Sequence, residues 1–285
     1  MHDLATLDAE LAAAEAQVPD LRPGCAKRII WAGGQGRKTT HALLYVHGFS
    51  ASPEELRPLP DVVAAALGAN AHFTRLTGHG QTGTAMAQAT FADWQRDVAT
   101  AIEIARTIGD QVVLMGCSTG CTLATLALAG GAQAKAMIHI SPNFGLRNRA
   151  AQLVMDMPGV KHWGHLVAGR TRQFTPINNA HKAFWTTEYP TQAVHPMADA
   201  VRAVRRADLG QVQVPAFFAF NLADQVVHSK NTSSVIDRWG GPTETMLLEQ
   251  GPEDDEMGHV MAGDIFSPRQ TAPLAERISA WLKSL

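Results

Sequence analysis

The segment QVVLMGCSTGCTLATLALA, residues Gln111 to Ala129, reads as two elements joined by a tight turn. Gln111–Met115 is a short apolar run of strand length, and Thr119–Ala129 is an uninterrupted run with helical spacing. Between them stands Gly116-Cys117-Ser118-Thr119-Gly120, a G-x-S-x-G pattern. A side chain raised on such a strand-to-helix turn has backbone angles that crowd its neighbours, so the flanking positions favour glycine. A helix starting at Thr119 also aims its free N–H groups at any negative charge formed in front of it. Ser118 is therefore the candidate nucleophile, with Gly116 and Gly120 as its supports. Val112 to Ala134 contains no charged residue and is long enough to span a bilayer. Its glycines, however, fall where a strand and then a helix would end. A buried strand followed by a buried helix is expected, without membrane insertion.

The same alternation extends in both directions. Ala42–Val46, Ala71–Leu76 and Ala134–Ile140 are further apolar strands, with an interrupted helix over Pro53–Leu67 and a helix over Phe91–Ile108. Near-continuous apolar strands separated by helices imply a mostly parallel sheet with helices on both faces. Lys27–Ala32 adds an antiparallel edge strand. After Ile140 the rhythm stops until Ala216–Asn221, an interval far longer than one crossover needs. Leu146–Met157 and Thr191–Leu209 within it have helical spacing, so a helical cap inserted after the fourth parallel strand is expected. A helix near Ser229–Trp239, a strand at Glu244–Glu249 and a helix at Pro273–Leu285 complete the pattern. The expected division is an N-terminal helix and edge strand (1–40), a core (41–142 and 213–285) and a cap (143–212).

Ser118 needs a base and an acid. In folds of this kind the chain order runs nucleophile, acid, histidine. Of twelve histidines, His259 lies in the loop after the last strand, while His228 sits close to the favoured acid and on the next helix. Those at 162, 165, 181 and 195 fall in the cap. Asp224, at the end of AFFAFN, is the acid that would hold the imidazole tautomer. Glu253, Asp254, Asp255 and Glu256 crowd the histidine loop; a solvated loop is the simple reading, and the sharper one is that they repel anionic substrates or raise the pKa of His259. His47-Gly48-Phe49 follows the first parallel strand. There Gly48 lets the backbone turn, Phe49 and Thr119 supply two oxyanion N–H donors, and His47 is structural. Gly78-His79-Gly80 shapes the rim or is a simple turn. Phe144, Trp163, Phe174, Phe184, Trp185, Tyr189, Met155 and Met157 are candidates for an apolar acyl pocket or for the cap's own core.

Composition narrows the partners. A net charge of -2 and a pI near 6.6 give no reason to expect nucleic acid or an anionic membrane. Arg202, Arg205 and Arg206 fit one exposed helix face. Three cysteines, Cys25, Cys117 and Cys121, make no disulfide framework or metal spacing, and the amphipathic start lacks a signal-peptide core. A cytoplasmic protein is expected; the oligomeric state is not set.

HGFSASP, LTGHG, Trp94 with Asp97, GCSTG, LADQVV and GHV together resemble the α/β-hydrolase superfamily, nearest to bacterial carboxylesterases and monoacylglycerol lipase-like enzymes. The resemblance covers roughly residues 40 to 285 and is weakest in the cap. It implies an α/β-hydrolase fold, Ser118, Asp224 and His259 as catalytic triad, Phe49 and Thr119 as oxyanion donors, and no metal or cofactor. The expected reaction is hydrolysis of a small to medium uncharged ester through an acyl-enzyme. Thioesterase, amidase, C–C bond hydrolase and acyltransferase activities share the triad. A non-catalytic relative binding a small apolar ligand is the alternative of another class.

Overall fold

The computed structural model describes residues 3–157 and 159–285, except the side chain of His165. In chain order the elements are α1 (Leu7–Ala16), β1 (Arg28–Ile30), β2 (Thr39–Val46), α2 (Leu59–Ala66), β3 (Asn70–Phe73), α3 (Gly83–Gln88), α4 (Phe91–Ile108), β4 (Gly109–Cys117), α5 (Thr119–Ala129) and β5 (Ala136–Ile140). There follow α6 (Arg149–Asp156), α7 (Val160–Ala168), β6 (Thr171–Gln173), α8 (Asn179–Phe184), β7 (Glu188–Pro190) and α9 (His195–Arg206). Then come β8 (Ala216–Phe220), α10 (Ser229–Arg238), β9 (Thr243–Leu247) and α11 (Pro268–Lys283).

Seven strands form one sheet in the order β1-β3-β2-β4-β5-β8-β9. All neighbours are parallel except β1, which runs antiparallel to β3. Alternation along the strands sorts side chains to two cores. Ala42, Leu44 and Val46 of β2 join Leu114 on one face, with Trp94 and Val98 of α4. Leu43 and Tyr45 join Val113 and Met115 on the other, with Val63 of α2 and Ile278 of α11. Each fully buried aliphatic contributes about 1.5–3 kcal/mol of transfer free energy, so both layers hold the sheet. Val112–Ala134 is thus strand and helix, and among the described residues no helix is long and apolar enough to cross a membrane.

Helix α4 runs over the residues expected because its start is well marked. The Thr90 hydroxyl accepts from Asp93 N, and the Asp93 carboxylate accepts from Thr90 N (2.8 Å). The expected helix over 53–67 is confined to α2; Pro53, Pro58 and Pro60 withhold the N–H donors that an earlier start needs. Helix α11 begins five residues before its expected start, and Pro273 lies inside it. The paired strands β6 and β7 have three residues each, too short for alternation to reveal. Met197, Ala200 and Val204 of α9 are buried in the same core as α4 and α5.

The N-terminal segment packs beside the sheet edge. Leu7 and Leu11 of α1 enter the core, and Glu15 forms a buried bidentate pair with Arg75 (2.7 and 2.9 Å). The carboxyl ends of β2, β4, β8 and β9 all open on one edge of the sheet, where open α/β sheets place their ligands.

Candidate active site

Ser118 occupies the bend between β4 and α5 with φ of 49° and ψ of -114°. A non-glycine residue held at positive φ costs about 1–3 kcal/mol, so the surroundings must enforce it. They do: Ser118 N donates to Ile140 O (3.0 Å), and Asn143 N donates to Ser118 O (3.1 Å). The turn also requires close backbone approach, since a Cβ on Gly120 would lie 1.9 Å from the Val46 carbonyl oxygen. Cys117 and Cys121 are buried free thiols, as packing residues would be.

Three side chains from three loops converge here. The Ser118 hydroxyl lies 3.0 Å from His259 Nε2, and His259 Nδ1 lies 2.7 Å from Asp224 Oδ2. Asp224 is held from behind, its Oδ1 accepting from Val226 N (2.7 Å) and Val227 N (2.9 Å). A carboxylate accepting at Oδ2 assigns the imidazole proton to Nδ1, which leaves Nε2 to accept from the serine. His228 takes no part; it caps α10, its Nδ1 accepting from Lys230 N.

The acidic run of the histidine loop is only half solvated. Glu253 and Glu256 are exposed, but Asp254 and Asp255 are buried. Asp255 accepts from His259 N (2.9 Å), Val260 N (2.8 Å) and Met257 N (3.2 Å). A buried loop without a strand partner must find acceptors for its N–H groups, and these aspartates provide them. Burial by itself would lower the His259 pKa. Asp224, followed by Asp255 and Glu55, outweighs it, and the net shift is upward.

The loop after β2 completes the enclosure. His47 Nε2 accepts from Leu76 N (3.1 Å), so its proton sits on Nδ1 and is donated to Gly48 O (2.8 Å). Burial lowers the His47 pKa to about 4, leaving the ring neutral in this structural role. With the Gly48 carbonyl so held, the planar trans peptide directs Phe49 N–H the opposite way. Glu55, buried, accepts from Gly48 N (2.7 Å) and from the Tyr45 hydroxyl (2.8 Å). A Cβ on Gly48 would lie 2.7 Å from Glu55 Oε1 and 3.2 Å from Ser118 Cβ, which fixes the glycine. His79 packs behind this loop in tilted and edge-on contacts with His47, Phe49 and Trp94, so Gly78-His79-Gly80 buttresses the site from outside the cavity. Trp94 Nε1 and Asp97 fasten Thr77 of the same loop.

A cavity of about 610 Å³ opens on Ser118 and His259. Met155, Phe174, Trp185 and Tyr189 line it as expected. The other four candidates do not: Phe144 is buried against His139, Phe184 packs by Gly24, Met157 is exposed, and Trp163 lies outside the lining. Among the described residues, no group of three or more His, Cys, Asp or Glu side chains is placed to hold a metal ion.

Glu55 and Tyr45 were not legible as site residues in the sequence, and Asp255 was legible only as one of four acids in the histidine loop. Glu55 falls in the interrupted helix expected over Pro53–Leu67, and nothing in PEEL marks a buried carboxyl. Asp255 was hidden in an acidic run.

Solved structures of similar fold cover nearly the whole chain. One is of LipS and LipT, metagenome-derived lipolytic enzymes: 20% identity, TM-score 0.76, 93% of this chain and 100% of the other. The monoacylglycerol lipase of Paleococcus ferrophilus shares 12% identity with a TM-score of 0.66, covering 90% and 98%. A soluble variant of Saccharomyces cerevisiae monoglyceride lipase, in complex with a substrate analogue, shares 12% identity with a TM-score of 0.66, covering 91% and 90%. These likenesses establish the α/β-hydrolase fold. Comparison with curated proteins gives no match. The family model described as serine aminopeptidase, S33, matches residues 37–251, most of the chain, and the chain belongs to that family of hydrolases.

Proposed function

We propose that this chain is a serine esterase that cleaves a carboxylic ester, its acyl part short to medium in length, through an acyl-enzyme. The observation that carries the reading is the hydrogen-bonded line from Asp224 through His259 to Ser118, set at the mouth of an apolar cavity. In this mechanism His259 takes the Ser118 proton as Oγ attacks the ester carbonyl. The N–H groups of Phe49 and Thr119 receive the oxyanion. His259 then protonates the departing alcohol, and a water activated by the same imidazole releases the acid. A fluorophosphonate probe tests the reading. The label is expected on the peptide containing Ser118; labelling elsewhere, or none, overturns it.

The pH profile gives a second check. The base must be neutral to accept a proton, and its pKa is raised. The acid limb of kcat/KM therefore lies at higher pH than an unperturbed histidine would give. Asp255→Asn removes one source of that rise and is expected to move the limb toward lower pH in a pH series with a p-nitrophenyl ester. A limb that stays in place would show that Asp255 does not act on His259.

The family description favours one second reading, amide hydrolysis of a peptide N-terminus. Such a substrate needs a carboxylate free to meet its ammonium group. The lining carboxylates of the cavity are Glu55 and Asp255, and both already accept protein donors. Turnover of amino-acid p-nitroanilides faster than of p-nitrophenyl esters would favour the amide reading.

A further inference from the structure

The lining of the cavity carries charges of both signs. Beside His259, its charged lining residues are the acids Glu55 and Asp255. Toward the segment between β5 and β8 the charged residue in its wall is Arg172 of β6. A second cavity of about 230 Å³ shares Thr191 and His195 with the first, and Lys161 and Arg170 line it. The two cavities share part of their wall, and the cationic residues lining them, Lys161, Arg170 and Arg172, all belong to this segment.

The local structure leaves that charge uncompensated. Arg172 is paired in register with Tyr189, which also lines the cavity, so their side chains share one face. Glu188 is paired with Gln173 and falls on the opposite face. The remaining acids of the segment have other partners. Asp199 binds Lys161 and Arg202, Asp156 binds Arg205, and Asp208 caps Gly210. Among the described residues, neither Arg170 nor Arg172 has an acidic or hydrogen-bonded side-chain partner. The imbalance holds for the whole segment. Residues 143–212 carry nine Lys and Arg against four Asp and Glu, a net +5. The rest of the chain carries fifteen against twenty-two, a net -7.

We propose that the wall of the cavity around Arg172 is an anion subsite, and that the substrate is an ester whose apolar acyl chain ends in a carboxylate or phosphate. The guanidinium group suits either anion, because its planar fork meets two oxygens at once. This inference rests on the esterase reading and departs from the uncharged substrate expected from sequence. It has a consequence for chain length. A short chain places its terminal anion beside Asp255 and Glu55, where like charge opposes it. A long chain carries the anion past them to Arg172.

The test compares p-nitrophenyl monoesters of dicarboxylic acids, from succinate to sebacate, with p-nitrophenyl alkanoates of equal length. The ratio of kcat/KM, anionic over neutral, is expected below one for succinate and to reverse to about tenfold above one for sebacate, the size of one charge-assisted hydrogen bond. Arg172→Ala is expected to return the sebacate ratio to about one, and added salt to lower it in the native protein. An ω-phosphorylated chain of the sebacate length separates the two anions: a larger gain assigns phosphate, an equal or smaller gain carboxylate. A ratio that never exceeds one, or that is the same in Arg172→Ala and in the Arg170→Ala, Arg172→Ala double variant as in the native protein, overturns the subsite. Failure to turn over the neutral esters, with no fluorophosphonate label, would instead sink the esterase reading beneath it.

Discussion

Ser118→Ala, His259→Ala and the double variant are each expected to lower kcat on a p-nitrophenyl ester by about the same factor, on the order of 10⁶. The equality is the informative part. The Ser118 hydroxyl and His259 Nε2 share one hydrogen bond, 3.0 Å long. If they act as one unit, removing either disables the other, and the second deletion costs nothing more. In the proposed mechanism the backbone N–H groups of Phe49 and Thr119 hold the oxyanion and neither substitution removes them, so a residual rate above water should survive in all three. Kinetics with thermal melting distinguish this from misfolding. His259 packs through backbone bonds to Asp255 that an alanine retains, so Tm is expected to change little. Losses that multiply in the double variant would show two independent contributions and refute the unit.

The parts of this site legible in the sequence were those with a local signature. Gly116 and Gly120 flag the Ser118 turn because a close approach admits nothing larger, and Gly120 does lie against the Val46 carbonyl. The sheet was legible because β2, β4 and β5 are buried on both faces and so read as unbroken apolar runs. Asp224 and His259 could be chosen only through chain order and strand ends, since they are brought together by topology. Glu55 had no signature at all, and Asp255 could not be told from the three acids beside it. Each is a carboxyl whose role is set by the backbone N–H groups folded around it, and a buried acid reads in sequence like an exposed one. The segment between β5 and β8 was least legible for a related reason. Its helices α6 and α9 follow the helical spacing, but β6, β7 and α8, of three to six residues, are too short for periodicity to show.

Asp224→Asn is expected to lower kcat by about 10⁴ while leaving the fold intact. The argument turns on a proton rather than a charge. The amide oxygen of an asparagine can take the place of Oδ1, accepting from Val226 N and Val227 N as the carboxylate does. Those two bonds then fix the orientation of the side chain, and its NH₂ group faces His259 Nδ1. A donor opposite Nδ1 requires that nitrogen to be the acceptor, so the imidazole proton moves to Nε2. Nε2 would then donate toward Ser118 instead of accepting from it, and the base is lost although every atom is in place. Loss of the negative charge also removes the main opposing influence on the buried imidazole, so its pKa falls. The measurements are kcat, Tm and the nitrogen shifts of His259 in labelled protein. A small loss of rate with the proton still on Nδ1 would show that Asp224 does not set the tautomer. Asp224→Ala serves as the contrast: it leaves Nδ1 without a directing partner, so the accepting tautomer at Nε2 remains accessible. If orientation of the proton is what matters, the alanine variant should be less impaired than the asparagine variant, despite removing more of the side chain.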